Sequence, residues 1–202
     1  MNLLESLSHN QLAAFTWDHE PHRWEPLEGG GLRIHVPACV DYFQDPTGRL
    51  SADSAPFFWM GWEGDFVAQA HVRHAFESTY DAGALMIRQD AQHWAKLCFE
   101  ATDFGSRAVV SVVTNGLSDD ANGVDVGVSD IWLQVARVGN LFGMHYALNG
   151  RDWRMVRYFP LALAETVQIG LVAQCPVGTG ATIDWLDLNV TRRTLNNMRA
   201  GI

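Results

Sequence analysis

Short runs rich in Val, Ile, Phe and Trp recur along nearly the whole chain, each closed off by Gly, Asn, Asp or Pro, while a sustained 3.6-residue apolar period is almost absent. Such a pattern builds extended segments and leaves little for helices. Candidate strands run over residues 30–36, 56–62, 64–74, 82–90, 92–102, 106–114, 131–138, 141–148, 153–159, 165–175 and 181–190. Asn149-Gly150 and Gly139-Asn140 suit two-residue hairpins, and Gly105 supplies the positive φ of a tight connection, so neighbouring strands are expected to pair antiparallel. Eleven strands on short links would make too wide an open sheet. Two packed layers follow, an all-β, two-sheet antiparallel β-sandwich, expected as a single domain over residues 1–202. Asn2 and Glu5 stand at capping-box spacing ahead of Leu7 and predict one or two helical turns at the start. The tail from Thr191 to Ile202 is polar and small, and is expected to fray or lie on the surface.

Composition narrows the partners. Hydrophobic residues make up 48% of the chain, enough for a large core, but no apolar run is long enough to span a bilayer. The opening residues carry no basic flank and no sustained apolar stretch, so a standard secretion signal is not expected. Cys39, Cys98 and Cys175 are far apart and lack the spacing of zinc or redox sites, which fits a reduced, cytoplasmic setting without a metal or other cofactor. A formal charge of −9, with fourteen scattered basic residues, argues against nucleic acid and anionic lipid. Neutral or cationic small ligands and protein partners remain.

Alternation assigns the wet faces. Along 92–102 it sets Ala95, Leu97 and Phe99 on one side and Trp94, Lys96, Cys98 and Glu100 on the other. A three-residue loop after Asp90 would put Arg88 opposite Lys96 and Met86 opposite Cys98 on that second side. Ser111 and Val113 are expected to join them from the next strand, and His71, Gln69, Arg73 and Gln134 to extend the same concave face. Sugar sites are built this way, with an aromatic plate such as Trp94 under the pyranose and Arg88, Lys96, Glu100 and planar amides on its hydroxyls. A salt-linked outer face with no ligand would show the same residues.

Other chemistry is weaker. A glycosidase strand of the form Glu-x-Asp-x-x-Glu needs three carboxylates on one face, and Glu63-Gly64-Asp65 is followed by Ala68, so that mechanism lacks its acid. Glu63 and Asp65 fit the borders of a hairpin turn at Gly64 instead. Asp81 and Glu100 form an alternative carboxylate pair approaching the mixed face. Ser118 to Asp125 partly matches a calcium loop without the closing Glu, and reads as a polar loop turning at Asn122-Gly123. His71 and His74 fall on opposite sides of a strand, and no His is placed beside Cys98, which reads as a small apolar residue.

Four segments, YDAGALMIRQD (Tyr80 to Asp90), HWAKLCFE (His93 to Glu100), SVVTNGLSDD (Ser111 to Asp120) and QIGLVAQCPVGTG (Gln168 to Gly180), resemble the domain-of-unknown-function family that contains the regulation of enolase protein. Blocks near Trp17 to Pro26, Asp41 to Phe43 and Trp132 to Trp153 extend the likeness. The resemblance implies a concanavalin A-like lectin/glucanase sandwich related to accessory domains of some β-xylosidases, with no established reaction. Ala82 and Asp120 depart from the family pattern, which commonly has Gln and an aromatic there. The functional expectation is a non-catalytic domain binding a carbohydrate or other polar small ligand through Arg88, Trp94, Lys96, Glu100, Asp81, Ser111, Gln134 and His71. The alternatives are a protein-interaction or regulatory domain acting on a metabolic enzyme, and a glycoside hydrolase with a non-standard carboxylate pair.

Overall fold

The computed structural model of the chain describes residues 1–8, 12 and 14–202. Its strands are β1 (Thr16–Asp18), β2 (Arg23–Pro26), β3 (Leu32–Val36), β4 (Tyr42–Gln44), β5 (Ser51–Asp53), β6 (Phe57–Glu63), β7 (Phe66–His74), β8 (Ala82–Asp90), β9 (His93–Ala101), β10 (Arg107–Asn115), β11 (Leu117–Asp125), β12 (Asp130–Val138), β13 (Leu141–Ala147), β14 (Arg154–Pro160), β15 (Thr166–Gln174) and β16 (Ala181–Thr191). A first seven-stranded sheet runs β1-β6-β15-β8-β9-β10-β11 and a second runs β14-β13-β12-β7-β16-β3-β2, every pairing antiparallel. The all-β, two-sheet architecture is the one that alternation called for.

Period-two alternation builds the layer between the sheets. Leu85, Ile87, Ala95, Leu97, Phe99 and Val109 of the first sheet meet Ala68, Val72, Leu133, Val135, Ile183 and Trp185 of the second in one buried cluster. The opposite side of the first sheet is not bare. Ala82, Ala84, Met86, Trp94, Cys98, Val110 and Val112, with Phe57 of β6, pack there beneath Tyr42 and Ala55. Those last residues come from a strap whose β4-β5 hairpin folds across the outer face. The strap is tied down where Val40 and Cys175 exchange backbone hydrogen bonds of 3.2 and 3.1 Å, and where Gln44 N donates to Ser118 Oγ at 2.9 Å.

Several expectations are corrected here. The opening residues form turns rather than a helix, because Asn2 Oδ1 accepts from both Leu4 N and Leu188 N and so fastens the segment to β16. Gly64, at φ 79°, makes a turn that carries the chain from the first sheet to the second, so Glu63 and Asp65 do not border a hairpin. Residues 118–125, read as a polar loop, belong to the edge strand β11; its largely exposed side chains carry no apolar alternation to reveal it. The Gly139-Asn140 hairpin is as expected, whereas the connection at Asn149-Gly150 spans residues 148–153. The tail docks. Leu195 packs on Val67 and Ala136, the Met198 carbonyl lies 2.7 Å from His145 Nε2, and the Gly201 carbonyl accepts from Gln134 Nε2 at 3.1 Å.

Candidate functional site

Side chains of β9 alternate out of the first sheet as expected, with Trp94, Lys96, Cys98 and Glu100 on the outer face. A two-residue connection at Ala91-Gln92, with a bulge at Gln89, sets the neighbouring register: Arg88 lies opposite Trp94, Met86 opposite Lys96, Ala84 opposite Cys98 and Ala82 opposite Glu100. The expected pairing of Arg88 with Lys96 was therefore two residues off. A two-residue slip preserves the face, so the outer assignment survives.

Between the strap and β9, β10 and β11 lies a cavity of about 360 Å³. Its polar lining is Asp41, Lys96, Glu100, Asp120 and Gln174, and its apolar walls include Phe43, Leu50, Tyr80, Val112 and Val177. Each group arrives for a local reason. Lys96 and Glu100 alternate with core residues along β9, Asp120 reaches the cavity from β11 with its side chain still exposed, Gln174 ends β15, and Asp41 begins the strap. Tyr80 sits at φ 67° just ahead of β8, a conformation that turns its ring outward to 39% exposure at the rim.

Lys96 is fully buried and fully engaged. Its Nζ donates to Asp41 Oδ1 at 3.1 Å, the Tyr42 carbonyl at 2.7 Å and Gln174 Oε1 at 2.8 Å, which uses all three hydrogens. Burial opposes its charge, yet the neighbouring Asp41, Cys98 and Glu100 hold its pKa above the ordinary value. The lysine is thus the bolt between strap and sheet.

Glu100 is its opposite. It is 8% exposed, its carboxyl lines the cavity, and it makes no hydrogen bond among the described residues. Burial pushes its pKa up to about 8; Lys96 opposes the rise, and Asp120, Asp41 and Asp103 add to it. Near neutral pH this side chain is a carboxylic acid with a hydrogen to donate. Asp120 is also raised, by burial first, with Lys96 and the Ala121 backbone amide pulling the other way.

Of the residues singled out from sequence, Lys96 and Glu100 meet in the cavity and the others do not. Trp94 is 0% exposed, lies edge-on to Tyr42 and donates from Nε1 to the Ala91 carbonyl, so it offers no stacking plate. Arg88 is held beneath the strap by Gln168, Asp53 and Asp18. Asp81, one residue before Ala82, points to the other side of the sheet, where it accepts from Ser78 N and lies near the Cys175 thiol, so it forms no pair with Glu100. Ser111 pairs with Leu97 and faces the inter-sheet layer, because the β9-β10 connection puts Val110 and Val112 outward instead. His71 and Gln134 belong to the second sheet. His71 stacks on Trp132 beside Asp130 and Gln134 lies under the tail, so neither extends the cavity face.

Sequence reasoning missed Asp41, Tyr80, Asp120 and Gln174. A lysine inside an apolar run demands a buried carboxylate partner. That signal pointed to some acid, but nothing in the spacing identified Asp41, fifty-five positions away. Asp120 and Asp119 point to opposite sides of β11, Asp119 reaching Arg157 at 2.7 Å, and this alternation is that of a strand rather than of a calcium loop. Among the described residues no group of three or more His, Cys, Asp or Glu is placed to hold a metal, and no helix is long and apolar enough to cross a membrane.

Residues 17–193 match the family model described as Protein of unknown function (DUF1349). Regulation of enolase protein 1 of Saccharomyces cerevisiae is 27% identical over 182 residues, which span 90% of this chain and 91% of that protein. A crystal structure of a functionally unknown protein from Saccharomyces cerevisiae is similar with a TM-score of 0.84 at 27% identity, over 91% of this chain and 98% of that one. Xylan beta-1,4-xylosidase from Bacillus halodurans C-125 contains a similar fold, with a TM-score of 0.65 at 14% identity, over 87% of this chain and 39% of that one. At that identity the likeness is one of fold, the concanavalin A-like two-sheet sandwich.

Proposed function

The chain belongs to that family of unknown function, and from this membership we propose that it is a regulatory domain acting on a metabolic enzyme, with the cavity beneath the strap as its small-ligand site. The observation that carries the reading is the end-to-end likeness to a protein named for the regulation of enolase. The cavity supports it by its make-up: a lysine whose hydrogens are all engaged and a neutral buried acid suit holding a ligand under apolar walls. A cytoplasmic location belongs to the same proposal. Enolase is the first enzyme to test. Purified chain is titrated into its host's enolase, reading both the reaction rate and complex formation by sedimentation. A saturable change in rate with a co-sedimenting complex is expected; no complex and an unchanged rate would remove enolase as the target.

A second reading, carbohydrate recognition at the same cavity, is favoured by the fold shared with part of a β-xylosidase and by the aromatic rim of Phe43 and Tyr80 around polar groups. A glycan array probed with the wild type and with Tyr80→Ala tests it. Binding that the substitution abolishes would support it, and an empty array would discard it.

A further inference from the structure

We propose that the cavity beneath the strap takes an alkylammonium group, its nitrogen set against the carboxyl oxygens of Glu100 and Asp120 and its carbon chain along Phe43, Leu50, Tyr80 and Val177. The inference rests on the reading of this cavity as a ligand site and adds the chemical class of the ligand.

Glu100 provides the first argument. The side chain is more than nine-tenths buried, has no hydrogen-bond partner among the described residues and opens its carboxyl onto the cavity, so its hydrogen bonds have to come from what the cavity holds. A ligand that donates hydrogen bonds would supply it. Charge provides the second. Three acids, Asp41, Glu100 and Asp120, line the cavity against one cation, Lys96, and that cation has no hydrogen left for a ligand. An anionic ligand would find only the protonated Glu100 to donate to it and would face Asp41 and Asp120 beside it. A cation would meet two carboxyls, since Asp41 is already engaged by Lys96.

The walls give the third argument. The rings of Phe43 and Tyr80 and the side chains of Leu50 and Val177 offer an apolar, partly aromatic lining beside the acids, a combination suited to an alkyl cation. The chain's net charge of −9 favours the approach of cations from any direction.

Binding has a proton balance. The groups facing Glu100 are Lys96 and Cys98 on its own strand, Asp120 on β11, Asp41 at the start of the strap, Asp103 in the β9-β10 turn and Tyr80 ahead of β8. With its pKa about 8, Glu100 carries its proton at pH 7 in the empty cavity. An ammonium arriving beside it makes the carboxylate the favoured form, so the proton passes to buffer as the ion pair forms. No covalent bond changes.

The test is isothermal titration calorimetry of the whole chain at pH 7 in buffers of different ionisation heat, with n-pentylammonium, n-pentanol and pentanoate as probes. Saturable binding of pentylammonium is expected, with release of close to one proton per ligand and no binding of the other two. In Glu100→Gln, an isostere of the protonated acid, proton release should vanish and affinity fall at least tenfold; in Asp120→Asn affinity should fall several-fold. Nα-acetyl-lysine N-methylamide separates the sources: binding as tight as pentylammonium fits a lysine side chain of a protein partner, and binding tenfold weaker fits a free amine. Both are alkylammonium outcomes. Equal binding of pentanol, or pentylammonium binding without proton release, would overturn the ammonium assignment while leaving a ligand cavity. Failure of all three probes would overturn it too, and a change in enolase rate or complex in the same preparation would show that the regulatory reading stands independently.

Discussion

Lys96 and Glu100 stand four residues apart on one strand and meet burial in opposite ways. The lysine keeps its charge by surrounding Nζ with three oxygens, and the glutamate, with no hydrogen-bond partner among the described residues, gives its charge up. Replacing Lys96 by Met leaves Asp41, the Tyr42 carbonyl and Gln174 without their donor, an expected loss of about 3–5 kcal/mol by urea unfolding. A loss below about 1 kcal/mol would mean that water replaces the ammonium. Glu100 makes a pH-dependent prediction with a definite sign. Its folded pKa of about 8 lies above the ordinary value of 4.5, so the unfolded chain ionises first and each pH unit between the two weakens the fold by up to about 1.4 kcal/mol. Glu100→Gln removes that drain. Wild type and variant should be alike near pH 4, and the variant the more stable by a few kcal/mol at pH 9, read as the difference in unfolding midpoints. Parallel curves across that range would contradict it.

Among elements, the eleven strands that alternate were legible and the five that do not were missed. Strands β8, β9, β10 and β15 each carry four or more apolar residues, and their positions followed from that. The missed strands β1, β2, β4 and β5 are three or four residues long, too short for a period to register, and β11 is mostly polar, its few apolar residues Leu117, Ala121 and Val124 falling out of alternation. Register was harder than position. The Gln89 bulge and the five-residue β9-β10 connection are not written in the side-chain pattern, which is why Arg88 landed two places away and Ser111 on the wrong face. Sheet pairing also hides in glycines. A methyl group at Gly170 of β15 would lie 2.1 Å from the Phe58 carbonyl oxygen, so Gly170→Ala must push β6 and β15 apart. A loss of more than about 2 kcal/mol, or insoluble protein, is expected on expression and thermal melting. A variant that melts like the wild type would show that the β6-β15 pairing yields freely.

Taken as a whole, the molecule is a sandwich with a covering on each outer face: the strap over the first sheet and the tail over the second. The roof of the candidate site belongs to the strap. Asp41, Phe43 and Leu50 arrive from a segment with no strand pattern, so β9 could be read as a wet face but the cavity roof could not. The tail plays a structural part that its small polar composition concealed. Burial holds the His145 pKa below its ordinary value of 6.5, with the Met198 carbonyl pulling the other way. Deleting residues 192–202 removes the acceptors Met198 and Gly201, with an expected loss of about 1–3 kcal/mol and a rise of the His145 pKa towards 6.5 in a proton NMR titration. An unchanged His145 would show that the tail adds no cover.

The measurement that bears most directly on the cavity as a ligand site is a carbon-13 NMR titration of the Glu100 side-chain carboxyl in the intact chain, assigned by its absence from Glu100→Gln. The account expects a midpoint near 8, shifting to lower pH when pentylammonium is added. A midpoint near 4.5, indifferent to the amine, would mean that Glu100 is an ordinary solvated carboxylate and that the cavity is not built as described.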